Sequence, residues 1–435
     1  MALQVILAPV GSTGDVFPLV AIALRLKQRG HRVVMVASGS YRSVLDAAGL
    51  EMIQTLEAST EAAAFDHPNF WRPTRGMRRI TERIILPSAR PQIAAIESRL
   101  EPGNTVVVGS TLAFGARIAG EKLGVPMVSI HLAPAALRSL YDTPTVANIP
   151  GFPRFPRSTK RLLYWYFDRF EFDRVMCPGL NEIRREVGLP PVARPLHEWM
   201  HSPTRVIGLF PTWFAAPSPD WPTQVRLTGF AFYDGPSSRE PSPEMHRFID
   251  EGERPVVFTA GTAMSHGELF FRAAVEACVR LGVRGILISS VAKQIPAELP
   301  PTVRAFGYAP FAELLPRASA LVHHGGIGTA AQALRAGVAQ VVVPMAYDQP
   351  DNATRLERLG VASTLPQRRL DGIHLAATLS KLLARPDLAQ RVDEAAHRFD
   401  HDASLDETCR LIEEAATIDV PAGAENRYRA RAAVR

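Results

Sequence analysis

Residues 321–331 read LVHHGGIGTAA, and the rest of the chain is best understood outward from them. The run ALVHH (320–324) has the length and composition of a buried strand. It ends on two histidines, turns on Gly325 and Gly326, and enters the helical pattern IGTAAQALRAG (327–337). Glycines let a backbone turn tightly and approach a ligand with no Cβ in the way. A helix that opens just after them presents unpaired N–H groups and the positive end of its dipole, which is an anion site. Thr329 adds a hydroxyl and His324 a ring N–H, so a diphosphate suits the arrangement. His323 has no such task and reads as a satisfied strand-end histidine.

The same letters spell a dinucleotide fingerprint, Gly326-x-Gly328-x-x-Ala331, with Asp348 placed 348 − 326 = 22 residues on, where a ribose-binding acid belongs. On these residues alone a nicotinamide-dependent oxidoreductase competes with sugar-nucleotide chemistry. A glycine turn used only for close strand–helix packing is the ordinary third reading.

Strand and helix patterns alternate on both sides of this stretch. Upstream lie RPVVFTAGT (254–262), GELFFRAAVEACVRLG (267–282) and VRGILISS (283–290); downstream lie AQVVVPM (339–345) and NATRLERLG (352–360). The N-terminal half repeats the theme in LQVILAPV (3–10), DVFPLVAIALRLKQRG (15–30), HRVVMVAS (31–38), NTVVVGS (104–110) and PMVSIHLAP (126–134). Continuous Val/Ile/Leu runs between helical periods imply parallel sheets covered on both faces. Proline-rich FPTWFAAPSPDWPTQ (210–224) and DGPSSREPSPE (234–244) suggest the interdomain linker. The expected fold is α/β, with two facing Rossmann-like doubly wound domains and a cleft between them. The expected domains are 1–225 and 226–420, followed by a basic tail, 421–435. Ligands in such sheets bind outside the carboxyl ends of the strands.

Composition narrows the classes. The chain has 435 residues, enough for two domains. MALQVILAPV lacks the basic flank and cleavage site of a signal peptide, and no run reaches membrane-spanning length. A cytoplasmic protein is expected, with peripheral contact at the inner face of the cytoplasmic membrane as an open extension. Cys177, Cys278 and Cys409 lack metal-ligand spacing and read as reduced, packed thiols. The net charge of +6 gathers in RPTRGMRRITER (72–83) and RYRARAAVR (427–435), without the interleaved aromatics of a nucleic-acid groove. No metal site is expected: DHD (400–402) sits in a helical region and reads as a cap.

The longer run 306–353 contains Tyr308-Ala309-Pro310, His324-x-Gly326, Gly328-Thr329, Gly337-Val338, Pro344 and Asp348-Gln349 with Asn352. This combination resembles the nucleotide-sugar signature of the family 1 glycosyltransferases, which have the GT-B fold. The resemblance implies that His324, Gly326, Gly328 and Thr329 hold the donor diphosphate, that Asp348 and Gln349 bind donor-sugar hydroxyls, and that Tyr308 stacks on the base. Thr262, in the loop TAGTAMSH (259–266), can join the phosphate site, or simply belong to a turn.

In PVGSTGDVFPL (9–19), Asp15 by itself reads as a helix cap or first-turn acid. The loop is similar to that of the sterol and antibiotic glycosyltransferases, and by that resemblance Asp15 is the general base. Histidine-using members keep an orienting aspartate after the fourth strand. Here VVVGSTLAFGA (106–116) has Ser110 and Thr111, and an aspartate base has no tautomer to fix.

Three further stretches, 11–33, 106–126 and 198–222, resemble the rhamnosyltransferases of rhamnolipid synthesis. That resemblance implies dTDP-L-rhamnose as donor, a 3-(3-hydroxyalkanoyloxy)alkanoate as acceptor and a mono-rhamnolipid as product, by an inverting, metal-independent transfer without a cofactor. Partners would be the nucleotide sugar, the hydroxyacyl lipid, and by loose contact the membrane or the acceptor-synthesising enzyme; no nucleic acid is implied. The aromatic and basic segments 65–93 and 158–173 offer material for a lipid surface, with Arg72, Arg75 or Arg79 meeting the acceptor carboxylate. Their commoner use is as amphipathic helices facing a core. Another dTDP- or UDP-hexose with a different lipophilic acceptor, or a non-catalytic sugar-nucleotide binder, stand as alternatives.

Overall fold

The computed structural model describes residues 2–146, 149, 151–235 and 242–418. The first sheet is built from β1 (Gln4–Ala8), β2 (Arg32–Ser38), β3 (Glu51–Leu56), β4 (Thr105–Ser110), β5 (Met127–His131), β6 (Arg205–Gly208) and β7 (Val225–Leu227). The second contains β8 (Val256–Thr259), β9 (Gly285–Ile288), β10 (Val303–Phe306), β11 (Ala320–His323), β12 (Ala339–Val342) and β13 (Ala362–Thr364). Their orders are β3-β2-β1-β4-β5-β6-β7 and β10-β9-β8-β11-β12-β13, with every pairing parallel. Both sheets are therefore doubly wound, and each reverses direction between its first and fourth strands.

Alternation along the strands explains the layers. Val5 and Leu7 of β1 enter one core, and Ile6 and Ala8 the core on the opposite face. Val256 and Phe258 of β8 are separated from Val257 in the same way. The helices that bear on the site are α1 (Thr13–Gln28), α2 (Ala58–Phe65), α3 (Pro73–Ile80), α4 (Arg157–Phe167), α5 (Ile327–Arg335), α6 (Gln349–Arg358) and α7 (His401–Ala415). Ile327, Ala330 and Leu334 of α5, with Ala353 and Leu356 of α6, share one apolar cluster with Val16, Leu19 and Val20 of α1. The two domains thus meet through a common core and not only through solvated side chains.

Two expectations are corrected. Residues 210–224 are not a free linker: Phe210, Phe214 and Trp221 are buried, and β7 just beyond them pairs with β6. The prolines break periodicity without removing the apolar side chains that pack. The later part of the expected linker, 236–241, and the tail 421–435 lie outside the described residues. Helix α7, expected within the second domain, lies on the first. Leu405, Cys409 and Ile412 join the core beneath α1, while Arg29 pairs with Glu413 at 2.7 Å and Arg25 with Asp406 at 3.0 Å. The chain crosses back because the apolar face of α7 finds its cover there. DHD acts as expected: Asp400 caps α7, its Oδ1 accepting the Ala403 N–H at 2.9 Å.

Candidate active site

The loops after β1, β4, β8 and β11 leave the two reversal points of the sheets, where open α/β sheets place ligands. After β1 the backbone turns at Gly11, with φ at +132°. A Cβ there would run into the Asp15 carboxylate, so the position needs glycine for both its angle and its space. The Ser12 N–H and hydroxyl both donate to Asp15 Oδ2, at 2.8 and 3.0 Å. Asp15 is therefore the cap partner that its lone letter suggested. It is also a half-buried carboxylate at the cleft, and burial pushes its pKa up to about 6. The Ser12 hydrogen bonds oppose that rise, and the charge of Glu61 adds to it.

Glu61, on α2, is one residue that sequence reasoning missed. It is 3% exposed, its Oε2 accepts the Ser38 hydroxyl at 2.8 Å, and burial raises its pKa. Nothing local marks it, because the fold alone carries α2 back towards the first loop. Ser110 and Thr111 have structural tasks after β4. Ser110 Oγ accepts the Val10 N–H at 2.9 Å, and Thr111 Oγ1 lies 3.1 Å from His131 Nδ1. Pro18 also acts locally: it cannot donate to Gly14 C=O within α1, so that carbonyl lacks its helical partner.

On the opposite wall, His323 is fully buried and satisfied. Its Nδ1 accepts the Gly325 N–H at 3.2 Å and its Nε2 faces Gln340 Oε1 at 3.0 Å, which places the proton on Nε2. His324 is different. Its Nδ1 is buried with no protein partner, and burial lowers the ring pKa to about 4, so the imidazole is neutral at pH 7. A Cβ on either Gly261 or Gly326 would collide with this ring. Gly326 is the N-cap of α5, and it has no side chain to accept the first N–H groups of that helix. The helix tip, Thr329 and the His324 ring together can bind an anion.

The two walls touch. A Cβ on Gly328, at the tip of α5, would lie 3.8 Å from Gly14 Cα in α1. Asp348, the N-cap of α6, feels the charge of Asp15, and its pKa rises to about 6, mainly through burial. Asn352 Nδ2 donates to Asp348 Oδ2 at 2.7 Å and so fixes that carboxylate. Gln349 is 4% exposed, and its Oε1 accepts the Met345 and Ala346 N–H groups at 2.8 and 3.0 Å. Its carbonyl therefore belongs to the turn, and only its amide N–H groups are left for a ligand. Tyr347 holds φ at +58°, unusual for a bulky residue. Its ring lies 5.7 Å from Phe70 and 6.1 Å from Trp71, and its hydroxyl donates to the Phe70 carbonyl. Strain of this kind persists where surroundings over-determine it, and here it sits next to Asp348.

The remaining expected residues are spread out. Thr262 is exposed in the loop after β8. Tyr308 follows β10 and donates to Asp234 C=O at 3.0 Å. Arg72 and Arg75 are exposed at the start of α3. Arg79 is corrected: its guanidinium donates to the Ala63 and Ala64 carbonyls at 2.8 and 3.0 Å, closing the end of α2. A local sequence pattern cannot reveal that the last carbonyls of α2 lie within its reach.

A buried ionic bridge lies beside Asp348. Arg355 binds Asp351 at 2.8 Å within α6 and Asp142 of the first domain at 2.7 Å, while Asp351 also accepts the Thr145 N–H at 3.0 Å. A carboxylate pair, an anion-binding helix tip and a neutral histidine in one closed seam can accept a proton on one side and hold a departing phosphate on the other.

Residues 5–141 match the glycosyltransferase family 28 N-terminal domain, and residues 283–412 the erythromycin biosynthesis protein CIII-like C-terminal domain. The chain is 31% identical over 426 residues to an O-mycaminosyltylonolide 6-deoxyallosyltransferase of Streptomyces fradiae, covering 95% of this chain and 97% of that one. Among solved structures it is similar to the glycotransferase of kitacinnamycin, with TM-score 0.72, 20% identity, and 96% and 100% of the two chains covered. It is also similar to the spinosyn rhamnosyltransferase SpnG complexed with thymidine diphosphate, with TM-score 0.65, 19% identity, and coverage of 94% and 100%. The dinucleotide fingerprint does not carry an oxidoreductase here: it follows the fourth strand of its sheet, and Asp348 occupies the N-cap position of α6 beyond the end of β12, its carboxylate held by Asn352.

Proposed function

Because the chain belongs to the GT-B glycosyltransferases of the macrolide and antibiotic type, we propose that it transfers L-rhamnose from dTDP-L-rhamnose to the hydroxyl of a 3-(3-hydroxyalkanoyloxy)alkanoate, giving a mono-rhamnolipid. The observation that carries the reading is the seam in which the uncapped tip of α5, with its partnerless His324 Nδ1, meets α1 at Gly14, the residue before Asp15. In this reading the diphosphate sits on the α5 N–H groups, Gly326, Gly328 and Thr329, with His324 donating to it. Thr262 adds a hydroxyl. Asp348 and the Gln349 amide hold sugar hydroxyls, and Tyr308 stacks on thymine. The β10 and β11 ends are three strand spacings apart, about 14 Å, which an extended nucleoside diphosphate bridges.

The acceptor oxygen attacks the anomeric carbon from the Asp15 side. Asp15 takes its proton as the new C–O bond forms. The bond from the anomeric carbon to the phosphate oxygen breaks, and its electron pair leaves with dTDP, so the anomeric centre inverts. Charge developing on the leaving group falls on the α5 dipole and the His324 N–H. A carboxylate with a pKa of about 6 is a better base than a free aspartate and is still ionised at pH 7. Arg72 and Arg75 are the arginines left to meet the acceptor carboxylate.

The donor assignment is supported by the 6-deoxyhexosyl relative and by the thymidine diphosphate complex of a structural neighbour. That relative also favours a second reading, in which another dTDP-hexose goes to a different lipophilic acceptor. One assay separates them: purified protein with dTDP-L-rhamnose or UDP-glucose, each with hydroxyacyl acceptors, and product mass as readout. A product heavier by one deoxyhexose is expected. Turnover with other pairs alone overturns the rhamnolipid reading, and a melting temperature raised by NAD but not by dTDP overturns the glycosyltransferase site.

A further inference from the structure

The outer face of α4 is strongly apolar for a solvent surface. Leu162, Trp165, Tyr166 and Phe170 are 61, 55, 46 and 41% exposed, and Tyr141 beside them is 50% exposed. The other strongly exposed large apolar residues among those described are aliphatic and belong to the second domain. Leu162, Tyr166 and Phe170 follow one another at i, i+4 and i+8, a single stripe continued through the π-turn Asp168–Phe172. Trp165 and Tyr166 pack against Phe170 at ring distances of 5.7 and 5.2 Å, forming one continuous patch.

The inner face of the same element is tied to the domain by specific contacts, so the outward face is not a misplaced core. Arg138 grips Asp168 through two bonds, at 2.6 and 2.7 Å, and the Tyr164 hydroxyl donates to Ser139 C=O at 3.3 Å. The rim is cationic. Arg157 lies 4.0 Å above the Tyr141 ring, Arg169 lies 5.9 Å from Phe170, and Arg161 is exposed one turn before Trp165. The acidic residues of the segment are Asp168, already neutralised by Arg138, and the half-buried Glu171 and Asp173. Aromatic rings and arginine are enriched at protein–protein interfaces as well, but here Arg157, Arg161 and Arg169 surround an apolar stripe with no exposed acid between 157 and 173 to pair with them. That matches the anionic headgroup layer of a bilayer, where amphipathic rings and phosphates lie at one depth.

We propose that this face docks on a bilayer surface rich in anionic lipid. No helix among the described residues is long and apolar enough to cross a membrane, so the contact is interfacial and reversible. Its place on the molecule gives it a use. Tyr141 precedes Asp142, which binds Arg355 and Arg358 of α6, the helix that Asp348 opens. The docking face therefore borders the interdomain seam, and a lipophilic acceptor can pass from bilayer to cleft without crossing water. That consequence rests on the lipid-acceptor reading; the docking does not.

The test uses the full chain and sedimented vesicles of phosphatidylcholine, alone or mixed with phosphatidylglycerol. Partitioning onto the mixed vesicles is expected to exceed that onto neutral ones by at least about tenfold at low salt, and to fall as salt rises. Trp165→Ser/Tyr166→Ser/Phe170→Ser and Arg157→Glu/Arg161→Glu/Arg169→Glu are each expected to lose about tenfold or more of that partitioning. Both variants should keep the melting-temperature rise with dTDP, which reports the nucleotide site separately. Equal partitioning onto both vesicles, none onto either, or unchanged partitioning of the aromatic variant overturns the proposal. So does a wild-type dimer that the aromatic variant turns into a monomer, since a second copy would then cover the face. Should a variant fail to fold, quenching of wild-type tryptophan fluorescence by brominated lipid decides, because Trp165 is the exposed one of the five tryptophans: quenching supports docking and its absence refutes it.

Discussion

Replacing Asp15 by Asn should abolish transfer and at the same time stabilise the fold, with a pH dependence that can be calculated. The folded pKa of Asp15 is about 6, against 3.8 in the unfolded chain. The folded state therefore prefers the protonated acid, and ionised Asp15 costs stability. The cost is absent below pH 3.8, grows between 3.8 and about 6, and is complete above that. Its ceiling is about 3 kcal/mol at pH 8, falling to roughly 0.5 kcal/mol at pH 4. Asn removes the charge while its carbonyl still accepts the Ser12 N–H, so the helix cap survives. With unfolding entropy scaling with chain length, a gain of up to about 3 °C in Tm is expected at pH 8 and well under 1 °C at pH 4. The assays are thermal scans at the two pH values, dTDP titration by calorimetry, and product formation. Transfer should fall by at least about 10² while dTDP affinity is kept. Turnover within a few-fold of wild type would leave Asp15 as a cap alone. Equal Tm gains at both pH values would show that ionisation is not their source.

The acid limb of kcat/KM should titrate near 6, as a property of the Asp15–Asp348 pair, and Glu61→Gln should move it lower by removing the charge that helps raise Asp15. A pH–rate profile checks this, and an unmoved limb would detach Glu61 from the base. His324→Ala should weaken dTDP binding about tenfold or more, since a buried ring donor to a charged diphosphate is lost; calorimetry reads the change. Arg355→Ala should destabilise the protein by about 3–5 kcal/mol in denaturant unfolding, because buried Asp351 loses its cation while Asp142 keeps only the exposed Arg358. Gly11→Ala should reduce turnover by about tenfold or more with dTDP affinity retained, because the new Cβ takes the space of the Asp15 carboxylate.

Much of this protein was legible in one dimension. Period and composition are local properties, so the parallel sheets, the glycine turn ahead of Ile327 and the helix tip of α5 could be read from the letters. His324 and Asp348 stood out because they lie close in sequence to the backbone features that give them chemistry. Other facts depend on which surfaces meet, and no local pattern holds them. The proline-rich stretch 210–224 packs because its aromatic side chains find a core, and α7 crosses back because its apolar face is covered beneath α1. Arg79 is drawn to the carbonyls that end α2, and Glu61 comes under Asp15 only through the path of that helix. Whether Asp15 is a cap or a base was undecidable in the letters, since either role uses the same residue at the same step of α1. Burial in the seam is what raises its basicity, and burial is a property of two domains brought together.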